Sequence, residues 1–86
     1  DIKIVEEELC RVKPIVHDLD SVRQLILMDM AFNMGVPRLC KFKRMWNAIQ
    51  EGKFDAAARE MLDSRWAKQV KSRAIKLSVA MEKGEF

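Results

Sequence analysis

Residues 25–35, Leu-Ile-Leu-Met-Asp-Met-Ala-Phe-Asn-Met-Gly, decide the fold of this 86-residue chain. One prospective helix runs through them, apolar almost all round and interrupted by a single carboxylate, Asp29. A helix without a polar stripe must be surrounded by protein. The segment is therefore expected to be a central strut on which the remaining elements pack. An acid on such a strut needs a hydrogen-bond or charge partner, or it keeps its proton. Asp29 is either chemistry or scaffolding.

Working outward, Asp20 is placed to cap the start of this helix and Gly35 to stop it. Upstream, Ile2, Val5, Leu9 and Val12 recur at helical spacing and predict an amphipathic helix ending before Pro14. Downstream, Val36-Pro37 is expected to turn the chain. A helix is then predicted from about Leu39 through Phe42, Met45, Trp46 and Ile49 to Gly52. Phe54-Asp55 reads as a staple and cap for a helix bearing Ala57, Ala58, Met61 and Leu62. Ser64 is expected to cap a short turn through Arg65-Trp66. Ser72 is expected to cap a last helix through Ile75, Leu77, Val79 and Met81 to Gly84. No alternating pattern lasts long enough for a strand. The expected fold is all-α, a compact bundle of five to seven short helices around residues 21–34.

A hydrophobic fraction of 49% with 34% charged residues is that of a globular rather than a disordered chain. No apolar run approaches the roughly 20 residues of a membrane span. The opening, Asp1 to Glu8, has no basic region preceding an apolar one, so no signal peptide is expected. Cys10 and Cys40 lack metal-ligand spacing and are expected to be free thiols. The net charge of +3 suits an anionic partner without identifying one. The first helix also has no N-cap: it is either a frayed terminus or the continuation of a longer chain.

Two carboxylates flanking a cleft would suit glycoside hydrolysis, but Glu6, Glu7 and Glu8 read as a solvated face and Asp18, Asp20 and Asp55 as turn and cap residues. Only Asp29 has apolar surroundings, and a buried acid in a small helical domain is more often paired with an arginine than catalytic. His17 has no Ser or Cys placed to use it as a base. No glycine-rich phosphate loop and no metal cluster is present, and neither metal nor cofactor is expected. Arg59, Arg65, Lys68, Lys71, Arg73 and Lys76 could line a phosphate backbone. Their spacing spreads them over several faces, with Glu60 and Asp63 interleaved, so a solvated surface is expected instead of a nucleic-acid interface.

Asp20-Ser21-Val22-Arg23, Met28 through Gly35, Asp63-Ser64-Arg65-Trp66, and Gln69 through Arg73-Ala74 together resemble the C-terminal lobe of the phage-type lysozymes, over about Pro14 to Gly84. The resemblance implies a two-lobed muramidase that cleaves the β-1,4 bond between N-acetylmuramic acid and N-acetylglucosamine in peptidoglycan. Its catalytic glutamate and the residues that help it belong to an N-terminal lobe outside this chain. By this resemblance residues 1–13 are the remainder of the inter-lobe helix and residues 14–86 the C-terminal lobe.

Carried over by position, Phe32 and Asn33 are implied to touch the glycan or its peptide. Arg65 is implied to reach across the cleft mouth, and Arg73 to lie against the catalytic glutamate and hold it. Asp29 is expected to pair with Arg73, and Trp66 to be structural. Met45 and Glu60 replace polar substrate-contact residues of the family, so the outer glycan site is expected to differ. The expected role is half of a substrate cleft, inactive in isolation. Its partners are a peptidoglycan strand and the N-terminal lobe, with neither membrane nor nucleic acid among them. The whole would be made in the cytoplasm of a bacterial host and act on its cell wall. The alternative is a free-standing helical interaction module or a weak nucleic-acid-binding remnant.

Overall fold

A computed structural model describes the backbone of residues 2–86 and the side chains from Lys3 onward. Seven α-helices are found among these residues, and no strand. They are α1 (Ile2–Val12), α2 (Ser21–Met34), α3 (Val36–Cys40), α4 (Lys43–Gln50), α5 (Phe54–Leu62), α6 (Arg65–Val70) and α7 (Ser72–Lys83), with a 3-10 turn at Pro14–Asp18. The all-α bundle expected from the sequence is the fold observed.

α2 begins where its capping residue predicts. Asp20 has extended backbone and its carboxylate accepts from the Arg23 N–H at 3.1 Å. The helix ends where Gly35 adopts φ +91°, a conformation costly for a side-chain-bearing residue, and donates its N–H to Ala31 O. Gln24 fastens the preceding turn to α2 by donating to Val16 O at 2.8 Å and Leu19 O at 3.0 Å. Ile26, Leu27, Met30 and Ala31 form its buried face. Neighbours on that side are α1, α3 and α7, while α5 makes the most extensive helix packing, against α7. Met30, Met45, Met61 and Met81 are all fully buried. Unbranched, polarizable methionines fill the irregular gaps left where short helices cross at many angles.

Burial all round was the expectation for α2, and it fails on one face. Leu25 is 53% exposed and Phe32 56%, with Asp29 half-buried between them. Positions i, i+4 and i+7 lie along one side of a helix, so α2 is packed on three sides and open on the fourth. The reason is geometric: the chain wraps α2 with α1, α3 and α7, and among the described residues the stripe 25, 29, 32 is met only at its edge, where Arg73 of α7 reaches Asp29.

Other boundaries also differ from expectation. The segment from Val36 to Gln50 is two helices rather than a turn and one helix. Pro37 sits in the first turn of α3, where its missing N–H costs nothing. The break at Lys41–Phe42 follows from Trp46, whose buried indole N–H donates to Leu39 O at 2.9 Å. Asp55 lies inside the first turn of α5, not at its cap, and faces Arg59 across 3.6 Å; an acid there still complements the positive end of the helix. Ser64 caps α6 as expected, accepting from the Ala67 N–H at 3.2 Å, but α6 is a six-residue helix. Ser72 does not cap α7; the cap position is Lys71, at φ +50°. Within α7, Ala74, Leu77, Ser78 and Met81 make the buried stripe, and Ile75 and Val79 face outward.

Candidate functional site

The open face of α2 meets the start of α7 in a groove of about 1050 Å3. Leu25, Asp29, Arg73, Ile75 and Phe86 are among its walls. Arg73 is the second residue of α7, so the sharp backbone at Lys71 sets the direction from which its side chain enters. It donates through Nε to Asp29 Oδ2 at 3.1 Å and through Nη2 to Asp29 Oδ1. This is the two-pronged guanidinium–carboxylate geometry that fixes orientation as well as charge. Asn33, one turn along α2, donates from Nδ2 to Asp29 O at 2.8 Å and to Asp29 Oδ1 at 3.3 Å. Asp29, Asn33 and Arg73 therefore form one polar cluster on the helix face that carries exposed Leu25 and Phe32.

Asp29 is thus an acceptor held by two donors, poorly placed to deliver a proton. Arg73 is different. Its Nε and Nη2 are committed, and among the described residues no partner is found for Nη1. With its side chain 54% exposed, it keeps one edge of the guanidinium free for a second acceptor in the groove.

The other sequence-predicted residues scatter. Phe32 is exposed on the open face of α2. Arg65 lines a separate groove with Arg38, Phe42 and Trp66, which shares no residue with the Asp29–Arg73 groove. Trp66 is buried, as a core residue should be, but its indole Nε1 has no hydrogen-bond partner. Met45 is fully buried and Glu60 half-buried, on a third groove. His17 lies near Glu6, Glu7 and Cys10 in a shallow hollow. Burial, and secondarily the Glu6 charge, push the Cys10 thiol up, so it is a poor nucleophile. Both cysteines are free thiols. Among the described residues no group of three or more His, Cys, Asp or Glu could hold a metal ion. No described helix is long and apolar enough to cross a membrane.

Leu25, Ile75 and Phe86 complete the groove, and sequence reasoning placed none of them there. For Ile75 a signal existed: the spacing 74, 77, 78, 81 of small and apolar residues defines the buried stripe of α7 and leaves Ile75 off it.

Known proteins similar to this chain include two lysozymes and a phage spike protein. The chain is 34% identical over 70 residues to "Probable T4-type lysozyme 1" of Dictyostelium discoideum, covering 81% of this chain and 41% of that protein. It is 33% identical over 78 residues to "Probable T4-type lysozyme 2" of the same organism, covering 91% and 46%. It is 34% identical over 76 residues to "Pre-baseplate central spike protein Gp5" of Enterobacteria phage T4, covering 88% of this chain and 13% of that protein. No family model matches the chain. It spans less than half the length of the two lysozymes. On identity that extends over most of its residues, the chain is a homologue of part of the phage-type lysozymes, and that is the family it fits.

Proposed function

We propose that this chain is the C-terminal lobe of a phage-type muramidase, with residues 1–13 continuing an inter-lobe helix and residues 14–86 forming the lobe. The intact enzyme hydrolyses the β-1,4 bond between N-acetylmuramic acid and N-acetylglucosamine in peptidoglycan of the cell wall. The lobe supplies one wall of the cleft and is inactive alone. A separate N-terminal lobe brings the catalytic acid and positions the water.

One observation carries this reading: the Asp29–Arg73 pair, joined by Asn33, lies on an open helix face that also carries exposed Leu25 and Phe32. A bidentate ion pair ringed by exposed Leu25, Phe32 and Ile75 is poorly explained as solvent-facing surface and well explained as half of an interface. Asp29 holds Arg73 from one side, and the free Nη1 engages the catalytic glutamate of the other lobe. Arg73 is then a positioning residue, with Asp29 and Asn33 behind it. Phe32, Asn33 and Arg65 contact the substrate.

The test is clearing of a peptidoglycan suspension by the gene product that contains this chain, against the 86 residues alone. The reading requires lysis by the former and none by the latter. A parent reading frame without a glutamate-bearing lobe upstream would sink it.

A further inference from the structure

A smaller groove, of about 250 Å3, opens where the end of α2, α3 with its following turn, and α6 converge. Arg38 and Lys41, three residues apart, reach it from α3 and its C-cap; Arg65 and Gln69, four apart on one side of α6, reach it from the opposite wall. No acidic residue lines it. Among the described residues, none of Arg38, Lys41 and Arg65 takes part in an ion pair. Phe42 and Trp66 give it aromatic walls. Trp66 is only 6% exposed, and its indole N–H is buried without an acceptor.

Three cations unpaired among the described residues surround the groove, and one of its aromatic walls belongs to a residue whose indole N–H is buried without a partner. Three like charges around one groove repel each other, and a buried N–H without a partner is rare in folded proteins. The other tryptophan, Trp46, has its indole N–H satisfied by Leu39 O. An entering anionic oxygen answers the charge repulsion, and the Trp66 ring beside it makes the indole N–H a reporter of its arrival. We infer that this groove binds a small organic carboxylate, its oxygens taken by the Arg38 and Arg65 guanidiniums and the Lys41 ammonium. The carbon tail lies against Phe42 and Trp66. The arginine fork matches a carboxylate geometrically. The aromatic walls favour an anion that carries carbon over inorganic phosphate, which has nothing to pack there. This inference does not rest on the muramidase reading.

Nuclear magnetic resonance of the 15N-labelled chain tests it, because the two indole N–H signals report separately. Butyrate should shift the Trp66 indole signal saturably, together with backbone amides of 38–42 and 65–69, while the Trp46 indole signal stays fixed. Neutral butyramide should leave the Trp66 signal in place. Arg38→Gln and Arg65→Gln should each weaken butyrate binding by about tenfold, with the unmoved Trp46 signal showing that the fold persists. If either variant fails to fold, the contrast between butyrate and butyramide on the unsubstituted chain decides. A non-saturating drift, an equal response to butyramide, or undiminished binding by folded variants would overturn the inference. So would a response to inorganic phosphate as strong as that to butyrate.

Discussion

The guanidinium of Arg23 lies 3.5 Å from the Phe54 ring centroid, and its Nε and Nη2 donate to Met81 O at 2.7 Å and Glu82 O at 3.0 Å. Its Nη1 meets Asp20 at 2.9 Å. One side chain thus ties the start of α2 to the last carbonyls of α7 and the first residue of α5. Gly84 ends α7 at φ +76°, and a Cβ there would come within 3.0 Å of Arg23 Nη1. Gly84→Ala should therefore destabilise by about 1–2 kcal/mol from the left-handed backbone alone, with more from displaced Arg23, measurable by urea unfolding. Asp20 gives a pH signature. Burial raises its pKa, but the hydrogen bonds and charge of Arg23 outweigh that and hold the carboxyl below its ordinary value. A depressed pKa contributes stability that is full above the unfolded carboxylate value of about 4 and lost as pH falls through the lower folded value. Unfolding midpoints of Asp20→Asn should fall less than those of the parent chain across that acid window.

At the scale of elements, helix breaks have local causes that substitution can expose. Trp46→Phe leaves Leu39 O with one donor fewer in a buried site and should cost about 1–3 kcal/mol. Thermal or urea unfolding measures this. Lys71 sits at φ +50°, ψ −110°, a conformation that glycine adopts far more readily. Lys71→Gly should raise stability by about 1 kcal/mol; a loss instead would mean that the Lys71 side chain makes the start of α7.

The existence and order of α1, α2, α4, α5 and α7 were legible in the periodicity of apolar residues, whereas the short α3 and α6 were read as turns. The α2 boundaries were legible because Asp20 and Gly35 act within one turn of themselves. The α3–α4 break was not, because it depends on an indole reaching back seven residues to Leu39 O, a contact that only packing creates. The open face of α2 was hidden for a similar reason. Periodicity shows that Leu25 and Phe32 are apolar, but which side of the helix is covered depends on where α1, α3 and α7 land. The approach of Asp29 to Arg73, 44 residues apart, came from family likeness and not from spacing.

For the whole molecule, Leu25, Phe32, Ile75 and Phe86 leave apolar surface beside a bidentate ion pair, in a domain of 86 residues that has little core to spare. That distribution fits half of a cleft. The Asp29–Arg73 pair is too exposed to contribute much to stability, so the proposed function predicts that its removal is felt in activity and not in the unfolding midpoint. The decisive measurement is the rate at which the gene product carrying this chain clears peptidoglycan, with Arg73 intact and as Arg73→Ala, each checked for an unchanged unfolding midpoint. On the proposed role of Arg73 in positioning a glutamate of the other lobe, loss of its guanidinium should slow clearing on the order of tenfold to a hundredfold. Clearing at the parent rate by a folded Arg73→Ala protein would contradict the account.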